Sequence, residues 1–569
     1  MKLRNNYRTN NYLQVNNSKG DLYAIPSYKS TLTQKVESTS QVGAICMDRS
    51  LSKNDFQNPA ERSKVGQFQI TNYIINFSQP KANKPLAQKR SNIMKATQFL
   101  TRGFIALLSI CLMAGLVFGQ NVNLNGGGGT LTGTYNIKGN INTGSASAPY
   151  TFSGTVNLLG TTGTQSVGGA SGTPVALTFA TLVTSAAALR NQTSPTVTVS
   201  TAVTLGGGAY TVGAHTLSIG GTSSGASLDA SAAGSTVNYT SGSAQAVLAS
   251  TYGGTLGLSG AGAKSLGGVV TAAVVNHVAA SGALTIGNAF TINGNNPSNL
   301  DAIAVSAATT LDYQGNSTLT IATVSSINAT GIIQQSTLAG TIAFTNPFTN
   351  GGTIRTGTGT LTFNGNLTNT GGTVTLTSTG IANFAANILA VGTMNFAATS
   401  TVNYTGAGAQ SVAGVTYGNL NMSGAGVKTA LGAVSISTAF SNGSAITDMS
   451  TFALGGAGTK TQAAGGTMRF GGAANGIIFA AGTVEYNGVI TQTITGNAAT
   501  TYATLLLSGT GTKSVLAGAA NTVHTTSSLT VGNGITLDVA ATGVVQVDGD
   551  LTLNGTGNIT NAGAITVGV

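Results

Sequence analysis

Few residues after position 120 of this 569-residue chain have types and spacings that could do chemistry. Asp548 and Asp550 are the closest pair among the eight acids in that stretch. Glycoside cleavage needs two carboxyl groups about 5 to 9.5 Å apart, and a calcium site needs six to eight oxygens. Val547-Asp548-Gly549-Asp550 reads better as a solvated turn, where carboxylates ordinarily sit. His215, His277 and His524 stand alone, without the mutual spacing of a zinc site, and are expected in structural or surface roles. Gly221-Thr222-Ser223-Ser224-Gly225 fits Gly-x-Ser-x-Gly, but a nucleophile elbow needs a strand-to-helix turn and no helical pattern follows. Gly126-Gly127-Gly128-Gly129 lacks the Lys-Ser/Thr of a phosphate loop and reads as a flexible start to the mature chain. No catalytic, cofactor-binding or metal-ligating residue is assigned, no cofactor is expected, and the chain is read as a non-enzyme.

Lys264, Lys428 and Lys513 raise a different chemistry, because each follows an equivalent turn. Copies one repeat apart would stand roughly 20 Å from each other on stacked strands, a spaced cationic row that could contact anionic surface glycan. The plainer expectation is a solvated loop charge that blunts edge pairing. Thr-x-Thr runs such as Thr196-Val197-Thr198 and Thr373-Val374-Thr375-Leu376-Thr377 suggest an ice-binding array. They do not recur at one fixed spacing, so the strand preference of Thr explains them first.

The elements that position these residues divide at residue 119. Residues 1–119 hold 16 Lys/Arg against 5 Asp/Glu, whereas residues 120–569 hold eight of each. The formal charge of +11 therefore belongs wholly to the leader, as do Cys46 and Cys111. Nucleic-acid binding by residues 120–569 loses its electrostatic basis, and no small-molecule substrate is indicated. Lys95 and Arg102 precede an apolar run from Gly103 to Phe118, the pattern of a secretory signal over 94–119. Its sixteen residues fall short of the roughly 20 that span a bilayer, so membrane contact is expected only through the signal. Residues 1–93 show neither period nor apolar face and read as a low-order extension, with translation expected to begin at Met94.

After residue 120 aliphatics alternate with Thr, Ser and Asn at period two, broken by Gly-Asn, Asn-Gly and Gly-Gly turns. A longer unit overlies this. Ser235-Thr236-Val237-Asn238-Tyr239-Thr240 is echoed at Ser400 to Thr405 and, as Gly-Thr-Val-Glu-Tyr-Asn, at Gly482 to Asn487. Each copy is followed by a Gln (Gln245, Gln410, Gln492), a second Tyr (Tyr252, Tyr417, Tyr502) and a Ser-Gly-x-Gly-x-Lys element ending at Lys264, Lys428 or Lys513. Val156 with Gln165 suggests an earlier, degenerate copy. The spacing suggests five units of about 82 residues: 150–234, 235–316, 317–399, 400–481 and 482–565, behind a cap over 120–149. An all-β, right-handed parallel β-helix of about four rungs per unit is expected, with tandem β-sandwich repeats as the alternative.

The Tyr-Gln-Tyr-Ser-Gly-x-Gly-x-Lys unit resembles repeats of exported bacterial β-strand-repeat proteins, Bacteroidota-like and similar to the β-helix passengers of autotransporters and filamentous haemagglutinins. That resemblance implies a secreted or cell-surface protein, adhesin-like or structural, acting by multivalent contacts with surface glycans or other cell-surface components. A polysaccharide-active β-helix enzyme and an ice-binding solenoid are the contrasting expectations. No translocator barrel or sorting domain is recognisable before Val569, so the chain is expected to be a fragment.

Overall fold

The computed structural model describes residues 12–16, 22–26 and 116–568, apart from 119–120, 170–172, 279–280 and 474–476. The chain separates into two compact units, Met1–Ile105 and Ala106–Val569. In the first, Tyr12–Asn16 pairs antiparallel with Leu22–Pro26. The rest of the expected extension, and the signal up to residue 115, lie outside the described residues. Leu116–Phe118, at the end of the expected signal, pairs parallel with Tyr135–Ile137 of the second unit.

That second unit is a parallel β-solenoid of about 22 coils. Its ladders are all parallel, which sets aside the sandwich alternative, since sandwich sheets are antiparallel. No α-helix occurs among the described residues, only a 3₁₀ turn at Ala519–Asn521. Stacked coils differ by as few as 16 residues, for Thr467 on Thr483, and as many as 27, for Tyr150 on Leu177. Strand register is kept while corner length varies.

Each coil passes through three sheets. Sheet 1 carries Thr216–Ile219, Thr236–Tyr239, Thr341–Phe344, Thr360–Phe363, Ile381–Phe384 and Thr401–Tyr404. Sheet 2 carries Gln245–Val247 under Lys264–Leu266, and Gln410–Val412 under Val427–Ala430. Sheet 3 carries Phe290–Ile292, Thr310–Tyr313, Ile332–Gln335, Thr353–Thr356, Thr373–Leu376 and Thr393–Phe396. Period two does the sorting: in Thr236–Tyr239 Val237 and Tyr239 are buried while Thr236 and Asn238 face outward. Identical inward positions then stack. Phe344, Phe363, Phe384 and Tyr404 form a column with ring centroids 5.2, 4.9 and 5.2 Å apart. Outside, Asn421 donates to Asn403 at 2.8 Å and Asn403 to Asn383 at 2.7 Å, an amide ladder along sheet 1.

The register also locates the repeated units. Val237 and Val402 both lie on sheet 1, eight pairings apart through Leu256, Val275, Ser298, Leu319, Ile342, Leu361 and Ala382. Val484 instead stacks on Met468, Thr447 and Lys428, the continuation of sheet 2. The 165-residue spacing is a whole number of coils, while the 82-residue step from Val402 to Val484 turns the third copy onto the neighbouring sheet.

Candidate functional site

The recurring residues converge on an inward-facing cassette made of two hydrogen-bonded devices. The first is a tyrosine ring. Tyr404 and Tyr417 lie 3.2 Å apart, hydroxyl to hydroxyl; the Ala413 N–H donates to Tyr404 Oη and Tyr417 Oη donates to the Ala413 carbonyl. Because Tyr417 gives its only proton to that carbonyl, Tyr404 must donate to Tyr417, and the ring closes in one direction. Tyr239, Tyr252 and Leu248 form the same ring, and so do Tyr486, Tyr502 and Thr495. Burial pushes the Tyr239 and Tyr404 hydroxyls up to about 12 and the Tyr252, Tyr417 and Tyr502 hydroxyls well above their ordinary value. All are therefore neutral donors in the folded protein.

The second device is a corner staple. Gln410 Nε2 donates to the carbonyls of Phe384 and Ala386 in the coil below, both at 2.8 Å, while its Oε1 accepts the Gly406 N–H at 2.9 Å. Lys428 stacks directly on Gln410 and donates from Nζ to the carbonyl of the same Gly406. Gln245 with Lys264 around Ser241, and Gln492 with Lys513 around Gly488, repeat this arrangement. Three coils are thus joined at one corner. A fourth staple falls in the degenerate copy marked by Gln165: Arg190 stacks on Gln165 and reaches the carbonyls of Leu158 and Ala186 at 3.0 and 2.6 Å. Cation type and coil length both differ there, so the sequence pattern marked Gln165 and missed Arg190.

These contacts correct the expected role of the lysines. Lys264, Lys428 and Lys513 have no exposed surface and are neither a cationic row for glycan nor solvated loop charges. Their neighbours are backbone carbonyls and a Gln amide, acceptors that replace the hydration shell of an ammonium. Burial still lowers all three, Lys513 to about 8.

The other singled-out residues do not assemble. His277 is buried, with Nε2 on the Gly282 carbonyl and Nδ1 accepting the Asp301 N–H, and burial lowers its pKa. Its neutral ring closes a corner. His524 Nε2 lies 2.9 Å from Asp548, whose carboxyl is held below its usual range by His524 and Gln546. Asp550 begins the next strand, paired with Ser528, beyond the Gly549 corner. His215 sits at a turn before Thr216–Ile219. Ser223 gives its hydroxyl to the Ala246 carbonyl, and Thr222–Gly225 is a strand. Gly126 ends one strand and Gly129 starts the next, with positive φ at Gly126 and Gly128, so the expected flexible start is an ordered corner. No group of three His, Cys, Asp or Glu side chains comes together among the described residues. No helix among them is long and apolar enough to cross a membrane.

Two surface concavities were not foreseen. One of about 470 Å³ is bordered by Asp229, Ser250, Thr251 and Thr271, the other of about 410 Å³ by Thr375, Asn395 and Thr416. Both lie on sheet 3 beside the second Tyr of a cassette. Comparison with protein-family models, curated proteins and solved structures finds no match to this chain.

Proposed function

We propose that this chain is an exported, right-handed β-helical rod of the adhesin-like or structural kind, displayed at the cell surface or released. The carrying observation is that the recurring Tyr, Gln and Lys residues that build each cassette all point inward. Repetition therefore maintains a scaffold, and the outward faces are free to differ from coil to coil, as multivalent contact surfaces do. The right hand follows from the general preference of parallel strand crossovers, and the roughly 82-residue unit is read as the genetic repeat laid over shorter coils. Catalysis is not part of this reading. Protease treatment of intact cells with immunodetection of residues 120–569, followed by adhesion of beads coated with the full chain, tests it. Cleavage at the surface and bead adhesion are expected; a protease-protected chain whose beads do not adhere would overturn it.

One observation favours a second reading, an ice-binding face. Thr196, Thr216, Thr236 and Thr255 form one outward column on sheet 1, and Thr318, Thr341 and Thr360 form another. Outward positions of that sheet from Thr196 to Asn421 carry no charged residue. The irregular sequence spacing of the Thr runs is absorbed by the corners. Thermal hysteresis of the full chain decides this reading: freezing-point depression with faceted crystals supports it, and unhindered crystal growth removes it.

A further inference from the structure

We propose that the two notches beside Tyr252 and Tyr417 are equivalent subsites for neutral saccharide units of one polysaccharide. The proposal rests on the adhesive reading and names its ligand class. The notches arise where sheet 3 is interrupted. Leu228–Asp229 meets the next coil through the single bridge Ala230 to Tyr252, and no ladder among the described residues joins Thr393–Phe396 to Thr416 and Tyr417. The cassette causes the interruption. Tyr252 and Tyr417 turn inward to close their rings and are followed by Gly253 and Gly418, where a Cβ would lie 1.9 Å from the Ser231 carbonyl and 2.4 Å from that of Ala398, whereas Tyr502 of the third cassette is followed by Ala503. The strand is pulled in at that point, and the outer surface is left concave.

The two linings match in chemistry as well as place. Asp229 and Asn395 occupy the same position one residue before Ala230 and Phe396, and Thr251 and Thr416 each precede the second Tyr. Around the first notch the exposed Val269 supplies the apolar floor, and around the second the half-buried Phe396 does, stacked 5.3 Å from Tyr417, while Leu228, Leu376 and Met394 lie beneath in the core. Hydroxyl, amide and carboxylate groups stand at the rims. An apolar floor with convergent hydrogen-bonding groups is complementary to a sugar ring, which has a C–H face and a hydroxylated edge. No cation borders either notch, and the one ionised group, Asp229, is held in its charged form by Ser231 and Thr211. Four of the eight basic residues of 120–569 are buried at corners while none of the eight acids is. Uronic and sulfated sugars are disfavoured, and neutral sugars fit. The notches lie on the same sheet eight coils apart, roughly 38 Å at about 4.8 Å per strand, so one chain can engage both.

The test uses the full chain and immobilised glucan, mannan and galactan, with alginate as the anionic control. Thr251 and Thr416 are exposed, and Thr251→Arg with Thr416→Arg lays a long side chain across each notch. Retention on a neutral polysaccharide, insensitive to added salt, is expected to fall about tenfold in either single variant and about 10²-fold in the double one. Asp229→Ala with Asn395→Ala gives the same loss without added bulk, and unchanged circular dichroism verifies the fold of each variant. Absence of retention on every neutral polymer, or full retention by both double variants, would overturn the proposal. Bead adhesion undiminished by the notch variants sinks the subsites and leaves the adhesive reading standing; failure of the parent chain to reach the surface does the reverse.

Discussion

At the scale of single residues, the tyrosine ring and the buried lysine make opposite demands on protonation. Replacing Tyr404 by Phe leaves the Ala413 N–H without its acceptor and Tyr417 without its donor, in a site closed to water. A cost of about 1–3 kcal/mol is expected in denaturant unfolding. Tyr417→Phe leaves the Tyr404 hydroxyl without its acceptor and the Ala413 carbonyl with only the Val415 N–H, and should cost a similar amount, while the double variant should cost clearly less than the two combined because both break one ring. Additive losses would show that the hydroxyls act separately. Lys513 gives a signature in pH. Its folded-state pKa is lowered to about 8 by burial, whereas an unfolded lysine titrates near 10.4. Between those values the unfolded chain binds the extra proton, so stability rises with pH from about 8 towards 10. Above about 10 the raised pKa values of the buried tyrosines act in the opposite direction, because only the unfolded chain then loses their protons. The melting temperature of the parent relative to Lys513→Met should therefore rise between pH 8 and 10, and a constant difference would contradict a titrating Lys513.

Elements show why the Ser-Gly-x-Gly-x-Lys motif recurs. Its first glycine, Gly260, Gly424 or Gly509, has φ of 78, 80 and 79°, left-handed backbone that an L side chain strains. The second meets a different limit: a Cβ on Gly262 or Gly426 would lie 1.9 Å from a carbonyl of the coil below, while Gly511 has φ of 81°. The turn then delivers Lys onto Gln. Gly424→Ala should lower stability by more than the about 1–2 kcal/mol of forcing a Cβ into left-handed geometry, because that Cβ would also lie 2.5 Å from the Gly406 carbonyl, and an unaltered unfolding midpoint would refute the account. Much of this was legible in the sequence. Period-two alternation sorts inward from outward residues, and the Tyr, Gln and Lys copies mark the cassette. The direction in which Lys428 points was not legible, because a lysine after a turn is ordinarily solvated and only the stacked Gln410 and Gly406 carbonyl reverse that preference. The notch at Asn395 was equally hidden, since it depends on a missing ladder between coils.

For the solenoid, the decisive property is that coil contacts are overwhelmingly with the neighbouring coil, the hydrogen bond from Thr438 to the Ala398 carbonyl two coils away being an exception. Stability in such a stack is a sum of coil terms and interfaces between adjacent coils, so a defect weakens its surroundings before it weakens the rod. Tyr239 and Tyr404 sit eight coils apart on the same sheet. Their rings share no residue, and the Phe344 to Tyr404 column passes only through the later one. Hydrogen exchange of Tyr404→Phe should accordingly accelerate in peptides from Ile381–Phe384 to Val427–Ala430, the coils held by the ring and by the Gln410–Lys428 corner, and stay at parent rates around Thr236–Tyr239. Uniform acceleration along the rod would mean that the coils open as one cooperative unit. The variable coil length makes the local outcome the physical expectation, because a coil of 16 residues and one of 27 differ in corner entropy and are joined only through strand register. An irregular solenoid of this kind can lose one coil to damage while those several coils away stay folded, as the proposed multivalent surface would require.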